Sequence, residues 1–326
     1  MAIQESGPIS LLDIQDEFGG SAPISLSEYY GAASGIPSSG QIRIGDFYGA
    51  SSGSPYDIDL TTSTSLVQRD IPYFEPDYYN AQWGLAFNND GSKFYVAERR
   101  NDLRDFSAIN EYNVGGGRYK IDNLSFNASF DLAGVWGNIT WSPDGSRLIV
   151  ADIGRTTFER RFKQYYTSTP FSVSGLSYQG ATDYVGDIPG GVGFTPDGSS
   201  AFLYWWRTSN NTTSLLSRST PHSILGSTNW SSASYTTLPD MAETPFFSPD
   251  GMVCYGLDSG NNNFYKNYLS TPFDPFTAVS SGQSFDVSGL PNPIGTVVTP
   301  STATEPKRII FSTYTEGFYQ YTFSNG

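Results

Sequence analysis

Few residues in this chain of 326 are able to do chemistry, and they are scattered. A serine hydrolase needs an imidazole to take the proton of its nucleophile, and the sequence has a single histidine, His222. It stands in the string Ser219-Thr-Pro-His222, while the sister strings Ser168-Thr-Pro-Phe171 and Ser270-Thr-Pro-Phe273 carry phenylalanine there. His222 therefore reads as a loop residue in a phenylalanine's place. Cys254 is also single, which excludes an intramolecular disulfide, a cysteine-rich zinc site and a CxxC redox pair. Its surroundings, Met252-Val-Cys-Tyr255, read as a strand with a packed thiol. Carboxylates are the fairer prospect. Glu98, Asp152 and Asp258 end equivalent apolar runs, Asn138 and Glu243 begin others, and oxygen ligands gathered from several such places can hold Ca²⁺. Arg207 and Tyr314 interrupt that set. The expectation is no catalytic residue, no metal and no cofactor, and hence no enzyme.

Composition narrows the partners. The formal net charge is −14, which repels phosphate backbones and argues against nucleic acid. The densest basic stretch, Arg155 to Lys163, carries a glutamate among aromatics and reads as strand edge. No apolar run approaches the roughly 18 residues that span a bilayer. Met1-Ala-Ile-Gln-Glu5 lacks the basic and apolar regions of a secretory signal. Charged residues are 15% of the chain, against about 25% in ordinary soluble domains, and aromatics are also 15%. That balance favours sheets, where aromatic side chains fit a pleated, half-buried surface.

What must position any site is a repeat. Phe87-Asn-Asn-Asp90-Gly91, Trp141-Ser-Pro-Asp144-Gly145, Phe194-Thr-Pro-Asp197-Gly198 and Phe247-Ser-Pro-Asp250-Gly251 are one motif, recurring every 53 or 54 residues. Each is followed by a short apolar run, so the unit is strand, tight turn, strand. Asp bonds its own backbone and Gly supplies positive φ, which gives these aspartates a structural task. The Ser-Thr-Pro strings form a second register, with prolines 51 apart. A degraded fifth copy runs from Gly295-Thr-Val-Val-Thr-Pro300 to Arg308-Ile-Ile-Phe-Ser312. About fifty residues with four short strands is the blade of a β-propeller. The fold expected is all-β, five blades of four strands over 55–326, with inner strands beginning near Gly84, Gly137, Gly191, Pro245 and Gly295. The last unit stops at Phe318–Phe323, and Tyr56 to Val67 looks like the back half of a unit that closes the ring. A third-strand reading of Tyr56–Leu60 keeps six blades open.

Residues 1–54 follow another rule. Pro8-Ile-Ser-Leu-Leu-Asp-Ile14, Pro23-Ile-Ser-Leu-Ser-Glu-Tyr-Tyr-Gly31 and Gln41-Ile-Arg-Ile-Gly-Asp-Phe-Tyr-Gly49 form a small repeat, read as short β-elements of the form Ile-x-Leu/Ile. Ser51-Ser-Gly-Ser-Pro55 follows as a linker. So short a segment has too little core to stand alone, and is expected to fold against a partner or copies of itself.

The run Ser6-Gly-Pro-Ile-Ser-Leu-Leu-Asp-Ile-Gln-Asp-Glu-Phe-Gly-Gly-Ser21, with Ile24 to Gly31 behind it, resembles a segment that opens structural and fibre-like proteins of tailed bacteriophages. The repeats that follow resemble propeller repeats of phage structural proteins. The resemblance implies a virion protein, fibre- or spike-like, exposed on the particle surface after assembly in the host cytoplasm. Residues 1–54 would dock on other virion proteins, through Ile9, Leu11, Ile24, Leu26, Tyr29, Tyr30, Ile42, Ile44, Phe47 and Tyr48. The propeller would be displayed toward a host-surface polysaccharide or protein. Trp205 and Trp206, neighbours that face opposite sides of a strand, read on their own as a candidate ligand surface, with packing between blades as the alternative use. Two other readings stand beside it: a capsid- or tail-decorating protein with a structural role alone, and a lactonase- or glycan-cleaving propeller enzyme.

Overall fold

The repeated motif builds hairpins by the same hydrogen bonds each time. In the computed structural model, Asp90, Asp144 and Asp197 accept from the amides of Ser92, Ser146 and Ser199 at 3.0–3.1 Å. The residue two before each Asp closes the turn from the other side. Asn88, Ser142, Thr195 and Ser248 accept, through side-chain oxygens, from the amides of Lys93, Arg147, Ser200 and Val253 at 2.9–3.0 Å. Thr299 does the same for Arg308 at 3.1 Å, so the fifth copy keeps this bond although its Asp-Gly is gone. Gly91, Gly145, Gly198 and Gly251 have φ between +67° and +72°, which glycine adopts without strain.

The structure describes residues 7–18, 23–30, 36–37, 40–48, 57–69, 81–100, 106–132, 137–152, 160–182, 188–195, 197–206, 212–217, 221–225, 235–236, 246–248, 251–258, 261–272, 274–299, 307–313 and 317–323. The chain is all-β in a propeller arrangement, preceded by a small helical segment. Strand β1 (Ser63–Arg69) comes first, and the described strands fall into five antiparallel sheets of four. The first sheet holds β2 (Ala81–Phe87), β3 (Lys93–Arg100), β4 (Phe106–Val114) and β5 (Leu124–Asp131). The second holds β6 (Ile139–Trp141), β7 (Arg147–Asp152), β8 (Arg161–Tyr166) and β9 (Ser177–Ala181). The third holds β10 (Ile188–Phe194), β11 (Ser200–Trp206), β12 (Thr212–Ser217) and β13 (Tyr235–Thr236). The fourth holds β14 (Phe246–Phe247), β15 (Val253–Asp258), β16 (Asn263–Leu269) and β17 (Ala278–Asp286). In the fifth, β18 (Pro293–Thr299), β19 (Lys307–Thr313) and β20 (Phe318–Phe323) are completed by β1. The register runs from Ser63 opposite Phe323 to Arg69 opposite Phe318, which hides the edge that β20 would otherwise expose.

Neighbouring sheets are tied by one recurring position. Gln320, Glu111, Gln164 and Lys266 hold the same place in the third strands, opposite Ile310, Tyr95, Ile149 and Tyr255. All four are buried. Gln320 accepts from the Ile121 amide at 3.3 Å, Glu111 from Val173 at 2.9 Å and Gln164 from Ile224 at 2.8 Å, each in the loop of the next sheet. Lys266 instead donates to the Ile58 carbonyl at 2.8 Å and to Asp57 at 2.9 Å. Residues 57–62 therefore fill, for the fifth sheet, the loop that precedes each outer strand. They are not the third strand that Tyr56–Leu60 suggested. Leu215 occupies the tie position in the third sheet, opposite Phe202.

The first segment departs from its β reading. Leu11–Phe18 is an α-helix, and Leu26–Tyr29 and Ile44–Phe47 are single 3₁₀ turns. The reason lies in the acid three residues after Ser10, Ser25 and Arg43. Asp13, Glu28 and Asp46 accept from the backbone amides of those residues at 2.6–3.2 Å, which starts a helix rather than a strand. Nor does the segment lack a core. Ile14, Tyr29, Ile36 and Phe47 are buried together, with Phe18, Tyr29 and Phe47 rings 5.9–6.2 Å apart. The three units are also linked in sequence: the Tyr30 hydroxyl donates to the Gly40 carbonyl and the Tyr48 hydroxyl to that of Gly7.

Candidate functional site

His222 has a structural explanation. Tyr119, Phe171 and His222 all lie at φ 55–62°, and their amides donate to the carbonyls of Gly91, Gly145 and Gly198 at 2.9–3.0 Å. Each ring rests on its glycine so closely that a Cβ there would come within 3 Å of it. The imidazole is thus the third sheet's turn cover, with Nδ1 3.8 Å from an Asp144 oxygen. The turn aspartates are held as anions. At Asp144, hydrogen bonds from Ser142 and Ser146 outweigh a larger single effect of burial and lower the pKa. Thr195 and Ser199 bring Asp197 down to about 2.

Of the carboxylates expected at the rim, Asp152 and Asp258 have separate tasks. Asp152 pairs with Lys163 at 2.8 Å in the β7–β8 ladder. Asp258 caps its own hairpin, accepting from the Asn261 amide at 3.1 Å and its side chain at 2.7 Å. Glu98 is buried in β3, and Asn138 donates to the Gly190 carbonyl at 2.5 Å. Glu243, Arg207 and Tyr314 lie outside the described residues. Among the described residues, no three His, Cys, Asp or Glu side chains gather within reach of one metal ion. Cys254 is wholly buried, and burial pushes its thiol pKa up, away from the nucleophilic thiolate.

The concave feature is central. A cavity of about 500 Å³ is lined by residues of β2, β6, β10, β14 and β18, the first strands of all five sheets. Phe87, Trp141, Phe194, Phe246 and Phe247 contribute rings, and Leu85, Ile139 and Val192 add aliphatic wall. Among the described residues, no lining side chain is charged. Two of its polar side chains bond the protein itself, Thr140 donating to the Val192 carbonyl at 2.7 Å and Asn89 to that of Pro143 at 2.7 Å, while the buried Trp141 Nε1 and Thr296 Oγ1 have no hydrogen-bond partner among the described residues. In the middle of β2, a Cβ on Gly84 would stand 2.7 Å from the Ile139 nitrogen. Glycine there lets two first strands close together.

The expected docking residues divide three ways. Tyr29 and Phe47 are core and cannot face a partner, because the segment's own small core needs those rings. Ile9, Leu11, Ile24, Leu26 and Ile42 are half-buried against that core. Tyr30, Ile44 and Tyr48 are exposed, and so is Leu12 at 58%, which the repeat alone did not single out. Trp205 and Trp206 pair through β11 with Pro189 and Ile188, but their side chains lie outside the described residues. Trp141 is core, its ring 5.1 Å from Tyr95 and 5.7 Å from Phe171.

No family model matches the chain, and no curated protein does. Solved structures do. The exo-β-1,3-galactanase of Phanerochaete chrysosporium, with β-1,3-galactotriose, is 11% identical over 79% of this chain and 64% of its own, TM-score 0.49. TolB of Acinetobacter baumannii is 14% identical over 76% and 55%, TM-score 0.39. The periplasmic gluconolactonase of Pseudomonas aeruginosa is 13% identical over 74% and 70%, TM-score 0.38. At these identities the likeness concerns the arrangement of strands, not activity.

Proposed function

We propose that this chain is a non-enzymatic structural protein of a tailed-phage particle. Residues 1–54 form its docking unit, and a closed propeller of five blades is displayed outward to meet a host-surface polysaccharide or protein. The supporting observation is the division of labour between the two parts. The first segment has its own core and still exposes the side chains of Leu12, Tyr30, Ile44 and Tyr48, which are available for a partner to cover. In the propeller, Asp258, Asp152 and His222 are meanwhile engaged in a hairpin cap, an ion pair and a turn.

The test is deletion of 1–54. The truncated chain should remain folded and fail to enter particles, while the full chain is incorporated. Normal incorporation of the truncated chain would refute the docking role. Binding to whole host cells then separates display from decoration: a decorating protein leaves adsorption unchanged when it is absent. Turnover of lactones or host glycans that is lost on adding a chelator or on Glu243→Ala would overturn the non-enzymatic reading.

A further inference from the structure

We propose that the central cavity is a binding site for a neutral, flat, apolar molecule the size of one or two fused aromatic rings. The inference is independent of where the protein sits in a particle. Three features of the cavity carry it. Its volume, about 500 Å³, lies within the roughly 300–1,000 Å³ of small-molecule pockets. It is some three times the ~150 Å³ apolar cavity that admits benzene.

Its described wall carries no charge, in a chain of net charge −14. An ionised ligand would lose its hydration and gain no counter-charge there. A sugar needs a dense set of hydrogen bonds, whereas the lining Thr140, Asn138 and Asn89 already donate to carbonyls of the protein and, of the described lining, only Trp141 Nε1 and Thr296 Oγ1 are buried without a partner. The described lining is chiefly ring and aliphatic surface, where an apolar group displaces poorly held water favourably.

The third feature is the variation among equivalent positions. Ala86, Thr140, Gly193, Phe246 and Val297 occupy one place in the five first strands, as their pairings with Tyr95, Ile149, Phe202, Tyr255 and Ile310 show. The place is empty of side chain at Gly193 and filled by a ring at Phe246, both lining the cavity. The space thus lies in the wall at Gly193, with the Phe246 ring as a surface to stack on.

The test uses the full chain and two probes with the same anilinonaphthalene skeleton. N-phenyl-1-naphthylamine is neutral, and 1-anilinonaphthalene-8-sulfonate adds one negative charge. The neutral probe should give saturable emission enhancement with one site per chain, and the sulfonate should bind at least tenfold more weakly. Gly193→Phe, which fills the space, should abolish binding; Phe246→Ala should weaken it severalfold. If Gly193→Phe fails to fold, Phe246→Ala decides alone. The proposal is overturned by any of three results: no saturable signal, equal affinity for the two probes, or binding unchanged by the folded variants.

Discussion

Replacing Glu111 by alanine removes the most heavily bonded of the ties between sheets. Its carboxylate is fully buried. One oxygen accepts from Lys93 Nζ at 2.8 Å and Asn127 Nδ2 at 2.6 Å, the other from the Val173 amide at 2.9 Å. The three donors will suffer unequally. Lys93 is 26% exposed on its side chain and keeps the Phe171 carbonyl at 2.9 Å, so its ammonium still finds acceptors. Asn127 is exposed and turns to water. Val173 is fully buried and has no such recourse. A buried donor left unsatisfied costs about 1–3 kcal/mol, and breaking a buried ion pair about 3–5 kcal/mol. With the partial exposure of Lys93 discounting the second figure, Glu111→Ala should cost about 3 kcal/mol. Glu111→Gln keeps an acceptor for Val173 and should cost about half as much. Urea unfolding of the full chain measures both, and amide exchange at Val173 should accelerate in the alanine variant alone. A loss under about 1 kcal/mol for Glu111→Ala, with Val173 still protected, would refute the tie.

Other outcomes follow from the same geometry. Removing 1–54 should leave the melting temperature of the propeller unchanged, whereas removing 1–70 takes away β1 and the Lys266 contacts and should lower it sharply; equal melting of the two truncated chains would refute the closure. Ser25→Ala removes the cap on Leu26–Tyr29 and should destabilise the first segment by about 1 kcal/mol, read as faster amide exchange there with the propeller unaffected. Asp197, at about 2 in the folded chain, titrates below its unfolded value of about 3.9. Its contribution to stability is therefore complete above pH ~4 and lost as pH falls toward ~2. Asp197→Asn should flatten that part of the urea midpoint against pH, and an unchanged acid slope would count against the turn bonds.

The propeller arrangement was legible because its information is periodic and local. An Asp-Gly turn every fifty-odd residues needs no long-range knowledge to be recognised, and the fifth copy could be found by its apolar run although its turn had decayed. The role of His222 was legible for the same reason, since Phe171 and Phe273 state what the place requires. The ties were not. Gln320 and Gln164 are amides, Glu111 a carboxylate, Lys266 an ammonium and Leu215 apolar, and they are equivalent only through strand register. What Gln320, Glu111, Gln164 and Lys266 hold is a backbone group in the next unit, to which sequence types are blind. The cavity was hidden likewise, because Gly193 and Phe246 are the same place only once β10 and β14 are aligned.

The first segment shows where local pattern misleads. Ile9-Ser-Leu11, Ile24-Ser-Leu26 and Ile42-Arg-Ile44 alternate apolar and polar, which is the period of a half-buried strand. Three residues are too few to distinguish that period from the start of a helix, and the deciding residue lies outside them. Asp13, Glu28 and Asp46 follow at the third position after Ser10, Ser25 and Arg43, and each bonds back to that residue's amide. That bond from the acid back to the preceding amide starts a helix irrespective of the alternation. Once the turns form, Ile14, Tyr29 and Phe47, one residue past each acid, converge on one point and become the core. The residues that follow Tyr29 and Phe47, namely Tyr30 and Tyr48, are carried to the outside, where their hydroxyls join one unit to the next. The acid thus decides which aromatic is core and which stays at the surface.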